Sequence, residues 1–200
     1  LLKWDGMTAP AYVGLNNYAT LLKDRVFSRS LVNNLIWALV ACLIQVPLAV
    51  IMAMVLDRRP RGWQVFRTIY FFPYVASLVA VAVVWNMLFF PSAGPVNEFL
   101  RMLGVENPPR WSASVDWAMP TVVMASIWRN MGYYMIIYLA ALQGIPRILY
   151  EAAEIDGANA WQKFRFVTVP MLTPSTFFIS IMLTITSFKV FDLILVMTNG

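Results

Sequence analysis

The chain has 200 residues, of which 60% are hydrophobic and 12% charged, and its net charge is +5. Soluble domains carry about a quarter charged residues, so this balance excludes an ordinary water-soluble fold. Histidine is absent and Cys42 is the single cysteine, which removes the usual catalytic base, the usual metal ligands and any disulfide framework.

Residues 1–30 mix polar and apolar positions, and "NNYATLLKD" suits a short helix presenting Tyr18, Leu21 and Leu22 to a neighbour. Four apolar runs follow, at about 31–56, 65–90, 117–142 and 173–197, and they make the chain an all-α polytopic membrane protein. At ~1.5 Å per residue each run exceeds the ~30 Å hydrocarbon core, so tilted helices are expected. Pro47, Pro73 and Pro120 are expected to kink or begin these helices. The chain starts at Leu1, no signal peptide precedes the first run, and the last run ends near Gly200. This reads as a fragment with spans missing at one or both ends.

The short loop "DRRPRGWQVFR" carries Arg58, Arg59, Arg61 and Arg67, a density that marks the cytoplasmic side. Alternation then puts 57–64 and 143–172 inside, and 1–30 and 91–116 outside. With Arg67 counted at the edge of the short loop, the inside holds seven Lys and Arg residues against six outside, so density and not the sum carries the orientation. Basic residues gather at span ends, which speaks for topology signals and against a nucleic-acid footprint. Outside, "GPVNEFLRMLG" places Val96, Phe99, Leu100 and Leu103 on one face, as in a helix lying at the membrane surface.

The segment 146–170 is unusually charged for its position between two apolar runs. Pro146 suits a first helical turn, and Ile148, Leu149, Ala152 and Ile155 follow at helical spacing beside Glu151 and Glu154. Gly157 stands where a left-handed C-cap belongs, and Asn159 with Gln162 forms a capping-box pattern. A second helix then carries Trp161, Phe164, Val167 and Thr168 on one side and stops before Pro170. A solvated connector would account for the charge. The pair Ala152 and Ala153 beside an acid, however, leaves a low surface that another protein can approach.

"EAAEIDGANAWQKFRFVTVP" resembles the EAA loop of bacterial ABC importer permeases, with Glu151, Ala152, Ala153, Asp156, Gly157, Ala158, Phe164 and Pro170 in register. Val167 and Val169 stand where Ile and Leu are more usual. "VGLNNY" at 13–18, "AALQGIP" at 140–146 and "FKVFDLILVMTNG" at 188–200 narrow the resemblance to the carbohydrate-importer, MalF-like branch. It implies a type I ABC importer permease fold as one transmembrane domain in the bacterial inner membrane, with further spans before residue 1 and after residue 200. It also implies that 146–170 is a cytoplasmic coupling helix pair docking on an ATPase subunit, with Gly157 setting the angle between the helices. The partners implied are a second, similar permease, two cytoplasmic ATPase subunits and an extracytoplasmic solute-binding protein. ATP and magnesium would sit on the ATPase subunits, and this chain would bind no cofactor. In agreement, no G-x-x-x-x-G-K-[ST] phosphate loop is present.

Ionisable residues inside spans are costly and face a cavity or a partner. Arg129 therefore reads either as a tether to a backbone carbonyl or carboxylate or as a pathway residue. Lys189 and Asp192, one turn apart, can pair with each other. A sugar needs flat apolar faces with hydrogen-bonding tips, which Trp128, Asn130, Tyr133 and Tyr134 offer on one helix and Thr186, Ser187 and Phe188 on another. The resemblance implies a midplane sugar site at Trp128, Asn130, Tyr133, Thr186 and Ser187, with Tyr134 where asparagine is common. Helix-packing glue is the alternative for each of them. A membrane enzyme would need a nucleophile, base or metal set that the sequence does not offer. An ion-coupled secondary transporter would need inverted repeats and a buried carboxylate, for which only Asp192 is a candidate.

Overall fold

Asp24 opens the longest helix. In this computed structural model, which describes residues 1–7, 9–190 and 192–198, its carboxylate accepts from the N–H of Val26 at 2.7 Å. That cap satisfies a donor otherwise left free at a helix start, so the helix begins at Arg25 and not at 31 as the apolar run suggested. Among the described residues before it lie a two-stranded antiparallel ribbon, β1 (Leu2–Lys3) with β2 (Ala11–Tyr12), and α1 (Asn16–Lys23). Tyr18, Leu21 and Leu22 on α1 are exposed rather than packed.

The first long helix, α2 (Arg25–Asp57), is apolar all round but sorted by size. Ala38, Ala41, Ala49 and Ala53 are buried, together with Gln45, while Leu35, Leu39, Leu43, Ile51 and Val55 on other faces are exposed. Small side chains let neighbouring backbones approach, and the large ones suit a lipid boundary. Helix α6 (Val115–Gln143) packs on this small-residue stripe, as does α9 (Val169–Phe188). Gln45 fixes the crossing by donating to the carbonyl of Ile127 at 3.2 Å.

The second apolar run is not one helix. It forms α3 (Trp63–Val75) and α4 (Leu78–Leu88), bent by 100° at Ala76 and Ser77. Pro73 lies just upstream of the break. Gly132 explains why α3 can lie against α6: a Cβ there would run into the carbonyl of Tyr70 and come within 2.8 Å of the Phe71 Cα. Beyond α4, α5 (Pro95–Met102) does not present its expected apolar face as a unit. Val96 packs toward the core while Phe99 and Leu103 remain exposed. Asn97 sets that rotation. It is 1% exposed, donates to the carbonyls of Pro91 (3.0 Å) and Pro109 (3.1 Å), and accepts from the Trp111 indole at 2.6 Å.

After α6 come α7 (Arg147–Ile155), α8 (Ala160–Lys163), a π turn (Phe164–Thr168), α9 and α10 (Asp192–Thr198). Two expectations are corrected here. The helix does not stop before Pro170, because the π turn carries it through: the Val169 N–H reaches back to the Phe164 carbonyl. A widened turn relaxes the clash that a proline ring makes with the preceding turn. Nor does one helix fill 173–197. The apolar helix is Ala160–Phe188, it ends at Lys189, and α10 is a separate element packed on α4. Lys189 and Asp192 flank the break, each matching the dipole of its own helix end, and no ion pair joins them among the described residues. Phe191, Asn199 and Gly200 of the 188–200 motif lie outside the described residues.

Two helices, α2 and Ala160–Phe188, are long and apolar enough to cross a membrane, or three if the bent α3–α4 pair is one span. The four-span count is thus not reproduced by length and composition alone. Helix α6 has the length, but Arg129, Asn130 and its tyrosines make it more polar. Among the described residues the fold is helical apart from the short terminal ribbon, and one apolar core runs through α2, α4, α6, α9 and α10.

Candidate functional site

The charged segment folds as a compact elbow. Ala153 accepts from the Ala158 N–H (2.9 Å) and Glu154 from the Gly157 N–H (3.0 Å), while Gly157 takes φ +78°. This is a Schellman ending, which needs a left-handed residue after the cap and uses glycine because it has no Cβ. Asn159 then starts α8 with a reciprocal box: its side chain accepts from the Gln162 N–H (2.9 Å), and the Gln162 side chain accepts from the Asn159 N–H (2.8 Å). The predicted order of helix, glycine turn and helix is what forms.

Two ties close the elbow. Lys163 donates to Glu154 at 2.6 Å, and the hydroxyls of Tyr150 and Thr168 share a hydrogen bond at 2.9 Å. The lysine holds the Glu154 carboxyl below its ordinary range, chiefly through that hydrogen bond. Sequence reasoning missed both ties, since each joins residues on different helices.

All eight predicted coupling residues fall on this elbow or at its exit. Glu151, Ala152, Asp156, Gly157 and Pro170 are exposed, and Ala153, Ala158 and Phe164 are half-buried. The Phe164 ring lies 5.5 Å from that of Trp161. Helix α7 turns Tyr150 and Ala153 inward, leaving Ile148, Ala152 and Ile155 as an outward stripe. Ile155 is 88% exposed and Ile148 69%. Trp161 and Phe166 beyond the turn are also bare.

The polar residues inside the bundle separate into two groups. Asn130, Thr186 and Ser187 line a narrow cleft between α2, α6 and α9, together with Gln45 and Ser126. Asn130 donates to the Ser126 hydroxyl (3.3 Å) and accepts from Arg129 (3.1 Å). Tyr134 is buried beside Thr186. Trp128, Tyr133 and Phe188 do not line the cleft. Trp128 leans on Trp85 with ring centres 5.8 Å apart, Tyr133 stacks on Tyr74 at 4.4 Å, and Phe188 is largely exposed.

Arg129 resolves as a tether. Its guanidinium donates to the Tyr74 carbonyl at 3.1 Å and lies 5.4 Å from the Tyr74 ring. Tyr74 is in the last turn of α3, where carbonyls lose their helical partners, so the arginine caps the bent span. A charged donor at a helix C-terminus also opposes the partial negative charge there.

The family of binding-protein-dependent transport system inner membrane components matches over residues 45–200. The chain is 39% identical over 191 residues to the lactose transport system permease protein of Rhizobium radiobacter, covering 94% of this chain and 64% of that protein. It is 38% identical over 200 residues to a probable ABC transporter permease of Pyrococcus horikoshii, covering 98% and 68%. It therefore spans about two thirds of the length of these relatives. Among solved structures, a bacterial ABC transporter involved in the import of the acidic polysaccharide alginate superposes with a TM-score of 0.78 at 26% identity, over 90% of this chain and 63% of that one. Fold, elbow and similarity agree: the chain belongs to the binding-protein-dependent transport inner-membrane components, as a permease of the ABC importer kind.

Proposed function

We propose that this permease lines the path of a carbohydrate importer and that the elbow at 147–168 is its grip on a cytoplasmic ATPase subunit. One observation carries the reading. The outward stripe Ile148, Ala152 and Ile155 is bare of any neighbour, yet it sits on a unit braced by two caps and two cross-ties. A rigid, uncovered apolar face suits insertion into a groove, with Glu151 as a charged contact at its edge.

The remaining assignments follow from that grip. ATP and magnesium belong to two ATPase subunits. A second, similar permease completes the path, and an external solute-binding protein delivers the solute. Orientation then puts 57–64 and 143–172 inside, and 1–30 and 91–116 outside. Support for a sugar comes from the lactose permease and the alginate importer among the similar proteins. The cleft at Asn130, Thr186 and Ser187 is the best-placed group to touch the solute, flanked by Tyr134. Nucleotide-driven rocking of two permeases would open it to alternate sides.

Gly157→Leu tests the grip. At φ +78° a leucine is strained, so the angle between α7 and α8 changes while the spans stay intact. The expected outcome in proteoliposomes is normal insertion with loss of binding-protein-stimulated ATP hydrolysis and uptake. Unchanged stimulation and uptake by that variant would remove the elbow from the mechanism. Uptake that needs ATP and survives collapse of ion gradients separates this reading from an ion-coupled carrier.

A further inference from the structure

The arginine-rich connection between α2 and α3 has a shape of its own. It turns through Arg59 at φ +48° and Gly62 at φ +81°. Arg59 thereby folds back until its guanidinium lies 5.9 Å from the Trp63 ring centre. Arg67, one turn further along α3, joins it at the mouth of a hollow of about 130 Å³, whose polar rim is completed by Gln143. Ile136, Leu139 and Ala140 of α6 form the apolar floor. At ~30 Å³ per water, this volume has room for a phosphate group.

The charge in this hollow is uncompensated. No carboxylate lines it, and none of Arg58, Arg59, Arg61 and Arg67 has an ion pair among the described residues. Helix α3 starts on Gly62 with no side-chain cap and no acid in its first turn, so no carboxylate offsets the positive end of its dipole. The surroundings belong to a membrane boundary. Trp63 is at the end of an apolar segment, where amphipathic rings settle, and Val65 and Ile69 on α3 are about 60% exposed.

We propose that this hollow binds the phosphodiester of an anionic phospholipid. Arg59 and Arg67 grip the phosphate, Gln143 donates beside them, and the acyl chains run along the exposed apolar face of α3. Two guanidinium forks on one phosphate give bidentate, oriented contacts that diffuse surface charge does not. The apolar floor and the bare residues of α3 favour a lipid over a freely soluble anion.

The test uses the assembled full-length importer in phosphatidylcholine nanodiscs containing a fixed fraction of phosphatidylglycerol, with retained lipid counted by native mass spectrometry. The proposal expects saturable retention of phosphatidylglycerol and none of phosphatidylcholine. At about a factor of five per basic residue, Arg59→Gln with Arg67→Gln weakens retention on the order of 25-fold. Arg58→Gln with Arg61→Gln, outside the hollow, weakens it by no more than about fivefold. Arg67→Lys, which keeps the charge but loses the fork, falls between wild type and the double variant and serves if the double variant does not assemble. Equal losses for the two pairs would reduce the effect to diffuse surface charge and overturn the site. Displacement of the lipid by millimolar inorganic phosphate would make it a soluble-anion site. Unchanged lipid retention with loss of the ATPase subunits from the Arg59/Arg67 variant would make it a protein contact.

Discussion

The elbow at Asp156–Asn159 and the break at Ala76–Ser77 both interrupt a helix, but they are held together in opposite ways. The elbow closes on itself: its caps use Ala153, Glu154, Asn159 and Gln162, and its ties reach only to Lys163 and Thr168. The bend is held from outside. Its last turn is capped by Arg129, 55 positions away, and its approach to α6 depends on the missing Cβ of Gly132. A self-contained joint keeps its angle while it moves as a body, which suits a part that transmits force. A joint held by a neighbour keeps its angle only while the neighbour stays put, which ties it to the state of the bundle.

Substitutions sharpen this contrast. The largest effect belongs to Gly132→Ala, whose methyl meets the Tyr70 backbone and cannot be accommodated by a side-chain rotation. A loss of about 3 kcal/mol is expected, at the upper end of overpacking, read as a drop in the thermal midpoint of the purified complex. Near-native stability would show that α3 does not seat on α6 there. Next comes Arg129→Met, which leaves the Tyr74 carbonyl without its donor and costs about 2 kcal/mol, partly restored by lysine. Asn159→Ala removes one cap and costs about 1 kcal/mol, confined to the elbow. Hydrogen exchange at 160–163 should quicken while the midpoint of the complex stays fixed. A fall in that midpoint would mean that the joint is not self-contained.

The smallest effect is that of pH on the Glu154–Lys163 tie. Its carboxyl is lowered from 4.5 in the folded protein, so the tie is fully formed above that value and is lost only as the pH falls through the lowered one. Exchange in the elbow should be flat from neutral pH down to about 5, once corrected for intrinsic rates, and rise only in stronger acid. The pair is exposed, so the change is slight.

The same distinction decides what was legible in the sequence. The glycine ending and the Asn159–Gln162 box are written in residues a few positions apart, and each forms as read. Pro73 pointed to a kink in the second run, but not to a full break into two helices, because "FPYVASLVAV" stays almost wholly apolar and the cap of the first helix lies on another helix. Nothing local marks Gly132, since the backbone that crosses it belongs to another helix. The polar candidates shared a helix, but helix rotation put Asn130 in the cleft and sent Trp128 and Tyr133 to aromatic partners on α4 and α3. Pro170 misled for a different reason: a π turn absorbs a proline that would end an ordinary helix.

That π turn also makes the elbow and α9 a single shaft. From Ala160 to Phe188 no loop intervenes, so a twist applied near Trp161 arrives at Ser187 at the far end. The one soft coupling along the shaft is the stretch Phe164–Thr168, where an extra residue per turn lets the register slip without snapping the helix. Under the coupling proposed above, this stretch would act as a clutch between the elbow and the cleft that Ser187 helps to line.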